Sequence, residues 1–414
     1  MAATLNLHKL FDTNTGYLGE LRVSPEDQET LSVAREAIRT TLRGAFRDWE
    51  KVVRRTELFD SLIAKASAEL DLPQPKFRIQ GSFAYHTAND CQFTPPQQID
   101  QDDGVFLPVG FVSVDNTVRP GIASRAYFTI VETALGPLCA AKGWTLNPVK
   151  KNDNCVRVEI NSRLHIDLPL YVIRDDAYEA LVESEARVLE KSLAQDHAHT
   201  ASVLRSSIEL SDSVYFSLED SEIALAHRTK GWISSDPRKL EVWFKEAVDL
   251  YGPEVRRVTR ALKGLRDHSW DNSDLSSVCI QAAVVRAFGL VGTLESRRDD
   301  LTLLTVGRKV VELLKGPIEN PVYPGERDKC LCQGMSSEHR AEVLKTFGEA
   351  LDELERAIHD TVHKGLAISW VRSAFGERIP EDESLVSVTG VVEVIRNIEP
   401  TPQPKPMVPR TTSG

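Results

Sequence analysis

Hydrophobic positions in the first 175 residues follow two different periods. A helical period begins after Ser24-Pro25, where the serine can cap the first turn and the proline can occupy its first position. Apolar residues then recur at helical spacing from Leu31 to about Leu70, which predicts one long helix. Shorter runs with a period of two follow, interrupted by one helical stretch at about 124–142. The combination of helical and strand-like periods predicts that the first 175 residues form an α+β half of the protein.

The pattern beyond Asp176 is mainly helical. Helices are expected to begin at Pro237 and Pro253, and two more should cover about 301–314 and 337–362. A proline-rich run at 400–409 has no core-forming period and is typical of an extended tail. We therefore expect an α+β half at 1–175, a mainly helical lobe at 176–385 and a flexible tail at 386–414.

Three aspartates lie within the strand-like runs. Asp100 and Asp102 should project from the same face of a strand, with Asp103 on the other face. Asp167 alternates with leucine and isoleucine in a second run. Like charges so close together are costly unless cations neutralise them. The pattern predicts a site for two Mg²⁺ ions roughly 3.5–4 Å apart, with Mn²⁺ as a possible substitute.

A Gly-Ser pair precedes these acids in the chain. Lys76–Gln80 should form a short strand, after which Gly81 allows the backbone to approach a ligand closely. Ser82 offers a hydroxyl group and nearby backbone N–H groups to a triphosphate. Neither a Gly-Ser pair nor an Asp-x-Asp pair is specific by itself. In this order, ahead of a third aspartate, they indicate nucleotidyl transfer.

Three segments of the chain resemble the motifs of one enzyme family. Gln80–Thr87, Ile99–Gly104 and His165–Tyr171 look like those of the bacterial cGAS/DncV-like nucleotidyltransferases, and most like the DncV branch. Further similarity is spread over nearly the whole chain, at 6–8, 16–21, 232–237, 243–244, 263, 266–267, 270, 276–277 and 374–378. The resemblance implies a bilobal protein, in which a polymerase-β-like nucleotidyltransferase core at 1–175 is completed by the helical lobe.

The resemblance also implies roles for individual residues. Asp100, Asp102 and Asp167 would be the catalytic metal ligands. Tyr85 would stack on a nucleobase, and Arg157 would meet a phosphate of the acceptor nucleotide. The remaining nucleotide contacts would be Gln80, Gly81, Ser82, Lys263 and Ser277. His165 should share the face of Asp167, but we expect no direct catalytic role for it.

Lys263 belongs to a basic stripe with Arg256 and Arg260 on one predicted helix. Without the resemblance, the stripe would be interpreted as a solvated helix surface. With it, Lys263 is expected to contact the triphosphate, where negative charge develops on the leaving pyrophosphate.

The implied activity is synthesis of a cyclic di- or oligonucleotide. ATP and GTP would be joined, with release of pyrophosphate, into a second messenger for anti-phage defence, and the expected product is cyclic GMP–AMP. A downstream effector would be reached only through that product. Some relatives are joined to other molecules through a C-terminal glycine by ubiquitin-transfer-like enzymes, which makes Gly414 a possible conjugation site.

Two alternatives remain open: a template-independent RNA-tailing polymerase, and a catalytically silent nucleotide-binding conjugation scaffold. The net charge of −11 disfavours the broad basic surface that RNA or DNA binding requires. The presence of all three acids disfavours the silent scaffold.

The spacing of the cysteines and the hydropathy of the chain predict that the protein is cytoplasmic. The six cysteines lack the spacing of a zinc site and are expected to be reduced thiols. We find no signal-peptide pattern at the start of the sequence. The most apolar stretch, 278–294, is too short to span a bilayer.

Overall fold

The computed structural model describes residues 4–48, 74–108, 120–147, 153–176, 178–179, 223–234, 237–326 and 329–389. The part of the predicted long helix beyond residue 48, the proline-rich run and Gly414 lie outside these residues. Within them, no helix is long and apolar enough to cross a membrane.

Elements are numbered here in chain order through the described residues. The first part contains β1 (Thr4–Asn6), α1 (Tyr17–Glu20), α2 (Pro25–Arg47), β2 (Lys76–Gln80), α3 (Gly81–Ala84), β3 (Ile99–Pro108), α4 (Pro120–Lys142), β4 (Thr145–Leu146), β5 (Cys155–Glu159) and β6 (Leu164–Ile173). The second part contains β7 (Ile223–His227), β8 (Gly231–Ser234), α5 (Pro237–Tyr251), α6 (Glu254–Ser269), α7 (Ser277–Phe288), α8 (Asp299–Leu313), α9 (Ser337–His359), α10 (Lys364–Phe375) and β9 (Ser387–Thr389). Two 3₁₀ turns lie at His8–Phe11 and Glu383–Leu385.

The main sheet is built around the parallel pair β3 and β6. Its strand order is β2-β3-β6-β5-β4, and β7 and β8 extend it from the far end of β6. β6 pairs with β5 and then with β7 along one edge, while β3 occupies the other. All ten residues of β6 are buried, as expected for a central strand.

Two helices cover one face of the sheet. Ser24 Oγ accepts a hydrogen bond from the Asp27 amide at 3.0 Å, which confirms the predicted cap of α2. Leu31, Ile38 and Leu42 recur at helical spacing and pack with residues of α4 against the sheet. The sheet contributes Val105 and Leu107 from β3 and, from β6, Ile166, Leu168 and Leu170. Because side chains alternate along strands, the intervening residues project from the opposite face.

The helical lobe has its own core. Val255, Val258, Leu262 and Leu265 form the buried side of α6, which packs with α7, α8 and α10. α9 joins the same core through α8 and α10. The predicted helix ends are close to the observed ones, although α4 begins at Pro120 and α9 ends at His359. The combination of a mixed sheet with a mainly helical lobe confirms the α+β class.

The two ends of the described chain meet. β9 pairs antiparallel with β1, which places Val388 opposite Leu5. The first few residues of the predicted tail at 386–414 therefore form a strand. The division into 1–175, 176–385 and 386–414 stays a prediction.

Candidate active site

Polar side chains form two rows across the open face of the main sheet. Register pairing aligns Gln80, Asp102, Asp167 and Arg157 on neighbouring strands. The adjacent row aligns Asp100, His165 and Glu159. Asp100 and Asp102 therefore share a face, as their spacing predicts, and that face also carries Asp167.

Asp103 points the other way, also as predicted. Its side chain is completely buried beneath α2, where Arg39 Nε donates to Asp103 Oδ2 at 2.8 Å and Arg39 Nη2 donates to Asp103 Oδ1. The carboxylates of the consecutive residues Asp102 and Asp103 therefore have different roles. The Asp102 carboxylate faces the open side of the sheet, and the Asp103 carboxylate holds α2 against β3 through Arg39.

Asp100, His165 and Asp167 bring their donor atoms together. One donor atom from each lies within 4.8 Å of the other two. His165 Nε2 is 2.9 Å from Asp100 Oδ1, yet neither atom has a hydrogen-bond partner among the described residues. His165 shares the face of Asp167, as expected, but it lies within the acidic cluster itself.

Asp102 lies between this cluster and the Gly-Ser turn. Gly81 has a φ of +64°, and a Cβ built on it would come 2.0 Å from Asp102 Oδ2. Only glycine allows this approach. Burial, and then the charges of Asp100 and Asp167, raise the pKa of Asp102 well above its ordinary value.

Arg157 is engaged by the third aspartate. Its Nε and Nη2 donate to the two Asp167 oxygens at 2.8 and 2.7 Å, a bidentate pair between neighbouring strands. A contact from Arg157 to an acceptor phosphate stays a prediction, and such a contact would have to share or replace this pair.

The donor set fits divalent cations. Three carboxylates face one another, and Arg157 is the cation paired directly with one of them. The raised pKa of Asp102 and the unpartnered Asp100 Oδ1 both indicate charge that a cation would neutralise. Asp100, Asp102 and Asp167 would hold the metal, and their oxygen atoms suit Mg²⁺ and Mn²⁺.

The Gly-Ser turn opens the short helix α3 directly after β2. Gln80 is buried and accepts a hydrogen bond from the Tyr171 hydroxyl at 3.3 Å. Ser82 lies in the first turn of α3, where backbone N–H groups have no intrahelical acceptor. Gln80, Gly81 and Ser82 all line the cavity above the acidic face.

The basic stripe of α6 is not a solvated surface. Arg256 Nε donates to the Tyr85 carbonyl oxygen at 3.1 Å, and Arg260 Nε donates to Asn89 Oδ1 at 3.0 Å. Lys263 is buried, and its Nζ donates to the Thr87 carbonyl oxygen at 2.7 Å. The stripe therefore binds the loop that follows the Gly-Ser turn, because these cations satisfy its backbone and side-chain acceptors.

Of the three stripe residues, Lys263 lines the cavity. Burial, followed by the charge of Arg266, lowers the pKa of Lys263 to about 8. An ammonium group with so few water contacts interacts strongly with an anion that enters the cavity.

Ser277 lies at the first position of α7, beside Arg266 of α6. Arg266 Nη1 donates to the Leu275 carbonyl oxygen at 3.0 Å and to Ser277 Oγ at 3.1 Å. Arg266 is itself paired with Asp267 at 2.7 Å. The beginning of α7 is therefore held against the cavity wall by the same helix that carries Lys263.

Tyr85 is more enclosed than a freely stacking aromatic side chain. Only 8% of its surface is exposed, and its ring lies 5.8 Å from that of Phe244 in α5. Tyr85 does line the cavity, so one ring edge or face is available there. Its stacking on a nucleobase stays a prediction.

A cavity of about 510 Å³ lies between the sheet and the helical lobe. Nine of the ten residues predicted for metal or nucleotide binding within the described chain line it, and the exception is Arg157. The cavity also receives Asn154, Cys155, Arg266, Asp267 and Gln281.

Sequence reasoning assigned no role to these five residues. Cys155 was expected to be an ordinary reduced thiol, but it lies two positions before Arg157 on the same strand face. Burial and the neighbouring Asp167 carboxylate raise the pKa of the Cys155 thiol. The alternation of β5 could have indicated this position. Arg266 and Asp267 belong to a stretch that resembles the family, although spacing alone gives them no role.

Comparison with known proteins agrees with this geometry. Residues 75–171 match the family model described as cyclic GMP-AMP synthase DncV-like, nucleotidyltransferase domain. Residues 252–388 match the model of the cyclic GMP-AMP synthase C-terminal domain. The two models thus cover the sheet that carries the acids and the lobe that carries Lys263 and Ser277.

Relatives align over most of the chain. A cyclic GMP-AMP synthase of Vibrio cholerae serotype O1 is 25% identical over 93% of this chain and 94% of its own length. One from Escherichia coli strain TW11681 is 28% identical over 80% of this chain and 74% of its own length.

Solved structures share the fold. The crystal structure of Vibrio cholerae DncV cyclic AMP-GMP synthase in complex with the linear intermediate 5′ pppA(3′,5′)pG superposes with a TM-score of 0.71. It is 23% identical, and the match covers 94% of this chain and all of that one. The apo form of Vibrio cholerae DncV gives the same TM-score at 22% identity. The chain belongs to the DncV-like nucleotidyltransferases.

Proposed function

We propose that this protein joins ATP and GTP into a cyclic dinucleotide, cyclic GMP–AMP, and releases pyrophosphate. The observation that carries the proposal is the placement of Asp100, Asp102 and Asp167 on one sheet face, under a cavity that also receives Lys263 and Ser277. Acidic and basic groups face each other across a space suited to a triphosphate and its cations.

The reaction would be two successive in-line displacements. In each, a 3′-hydroxyl oxygen bonds to the α-phosphorus of a triphosphate and its proton passes to water. The bond from that phosphorus to the bridging oxygen breaks, and pyrophosphate leaves with the electron pair. Divalent cations, when bound, would lower the pKa of the attacking hydroxyl group and neutralise charge on the phosphates. The second displacement closes the ring.

The chain's own residues would divide this work by position. Asp100 and Asp102 lie on the side of the Gly-Ser turn, where the N–H groups of α3 suit the donor triphosphate. Asp167 lies farther from that turn, in the row beside Arg157, and suits the acceptor hydroxyl group. Lys263 would stabilise charge on the leaving pyrophosphate.

Names of relatives support the product class. The matched proteins are called cyclic GMP-AMP synthases, and solved structures of Vibrio cholerae DncV hold GTP or both ATP and GTP. Production of a second messenger for anti-phage defence, in the cytoplasm, is part of the same proposal. Conjugation at Gly414 stays a separate prediction.

The proposal is tested by incubating the purified full chain with labelled ATP and GTP, singly and together, in Mg²⁺. A phosphatase-resistant product with the mass of a cyclic dinucleotide is expected, and nuclease digestion would identify its linkages. Partner proteins and phage-derived activators should be supplied before a negative result is accepted.

The same reactions distinguish the alternatives. Extension of a labelled RNA primer without a cyclic product would support a tailing polymerase. Nucleotide binding without turnover, even with activators, would support a silent scaffold. Asp102→Asn serves as the matched inactive protein.

A further inference from the structure

His165 is a buried histidine whose ring has no hydrogen-bond partner among the described residues. It is 5% exposed, and both Nδ1 and Nε2 are without a bond. Buried polar atoms normally find a partner, since leaving one unpaired costs about 1–3 kcal/mol. The ring lies on the acidic face, next to Asp100 and Asp167, where a cation bound to that face would give Nε2 a partner.

The distance between His165 and Asp100 supports a shared ligand. Nε2 and Oδ1 are 2.9 Å apart but do not form a hydrogen bond. Two ligands that bind one ion at about 2.0–2.1 Å and at right angles are about 3 Å from each other. A donor atom of Asp167 completes a group within 4.8 Å.

We propose that His165 Nε2 is a ligand of the divalent cation held by Asp100 and Asp167. The proposal rests on the proposed function, because it concerns a cation of the same site. It adds one nitrogen donor to a site otherwise made of carboxylates. Imidazole binds Mn²⁺ and later transition metals in preference to Mg²⁺, so His165 would shift the site's selectivity toward them.

The full chain with Mn²⁺ alone, in a nitrogen-free buffer, provides the test. Pulsed electron paramagnetic resonance detects hyperfine coupling between bound Mn²⁺ and a directly coordinated nitrogen. We expect this coupling, and we expect its pattern to change when histidine is labelled with the heavier nitrogen isotope. Bound Mn²⁺ without histidine coupling would overturn the inference. This measurement needs no variant, so it stands even if a substitution disturbs folding.

Two variants assign the nitrogen. His165→Gln should lose the coupling and weaken Mn²⁺ binding by about tenfold or more, with a smaller effect on Mg²⁺. His227→Asn is the matched control, because His227 is buried and its Nδ1 accepts backbone N–H bonds that an asparagine oxygen can also accept. Coupling that survives in His165→Gln would contradict the assignment.

Failure of this inference can be told apart from failure of the proposed function. Asp100→Ala and Asp167→Ala should remove most Mn²⁺ binding if the acids form a metal site. Binding that depends on these acids but shows no nitrogen coupling overturns only the role of His165. Mn²⁺ binding that is unchanged in both variants overturns the metal site itself.

Discussion

Asp102 and Asp103 are consecutive residues of β3, yet their carboxylates lie on opposite faces of the sheet in opposite electrostatic settings. Asp102 is enclosed facing two other acids, and burial, followed by their charges, raises its pKa. Asp103 is enclosed with Arg39 in a bidentate ion pair. One substitution at each position therefore separates function from stability.

Asp103→Asn should destabilise the fold. The change leaves the Arg39 guanidinium with a neutral partner in a buried setting, and breaking such a pair typically costs about 3–5 kcal/mol. We expect the denaturation midpoint to fall, while the protein that remains folded keeps its nucleotide and metal affinity. An unchanged midpoint would show that the pair does not fasten α2 to β3.

Asp102→Asn should abolish activity without destabilising the fold. A carboxyl group whose folded pKa is raised makes the metal-free protein less stable as pH rises through the usual aspartate range. Removing that carboxylate should leave the melting temperature in EDTA at neutral pH equal or higher, while turnover is abolished. Added Mn²⁺ should raise the melting temperature of the wild type and have little effect on the variant.

Gly81→Ala should disable the site without unfolding the protein. The new Cβ would come 2.0 Å from Asp102 Oδ2, and the φ of +64° disfavours alanine. We expect the Asp102 carboxylate to move and turnover to fall at least tenfold, since misplaced catalytic groups are costly. Gly348→Ala in α9 is the control, because its Cβ meets nothing within 4 Å. That variant should retain activity and gain up to about 1 kcal/mol of stability.

Lys263 gives the triphosphate site a pH dependence. Its pKa of about 8 means that the free enzyme loses this positive charge as pH rises through that value. Affinity for a nucleoside triphosphate, measured by calorimetry, should therefore weaken above pH 8. Lys263→Arg should flatten that decline, because a guanidinium stays charged. A decline that is the same in both proteins would assign the effect to another group.

Arg266 should affect substrate binding through the beginning of α7. Arg266→Lys keeps the charge but cannot reproduce both hydrogen bonds, to the Leu275 carbonyl oxygen and to Ser277 Oγ. We expect KM for the triphosphate to rise about tenfold, with kcat less affected, because a hydrogen bond to a charged group contributes about 1.5–3 kcal/mol. Arg286→Lys, at an exposed position of α7, is the control and should leave both constants unchanged.

The strands and their faces could be predicted because period-two alternation in β3 and β6 is set by local backbone geometry. The opposite orientations of Asp102 and Asp103 follow from that alternation alone. The parallel register that places Asp167 beside Asp102, and His165 beside Asp100, is a long-range pairing that no local pattern specifies.

The basic stripe shows the limit of helix periodicity. Spacing placed Arg256, Arg260 and Lys263 on one face but could not show what covers that face. The loop 85–89 covers it, through acceptors whose positions depend on how the two lobes pack. The pairing of Arg157 with Asp167 depends in the same way on the register of β5 against β6.

The most direct test of the account is mass-spectrometric identification of the product formed from ATP and GTP by the wild type, Asp102→Asn and Asp103→Asn. The account predicts a cyclic dinucleotide and pyrophosphate from the wild type and from the folded fraction of Asp103→Asn, and none from Asp102→Asn. A cyclic product from Asp102→Asn at the wild-type rate would contradict it, because the acidic face would then not be the catalytic centre.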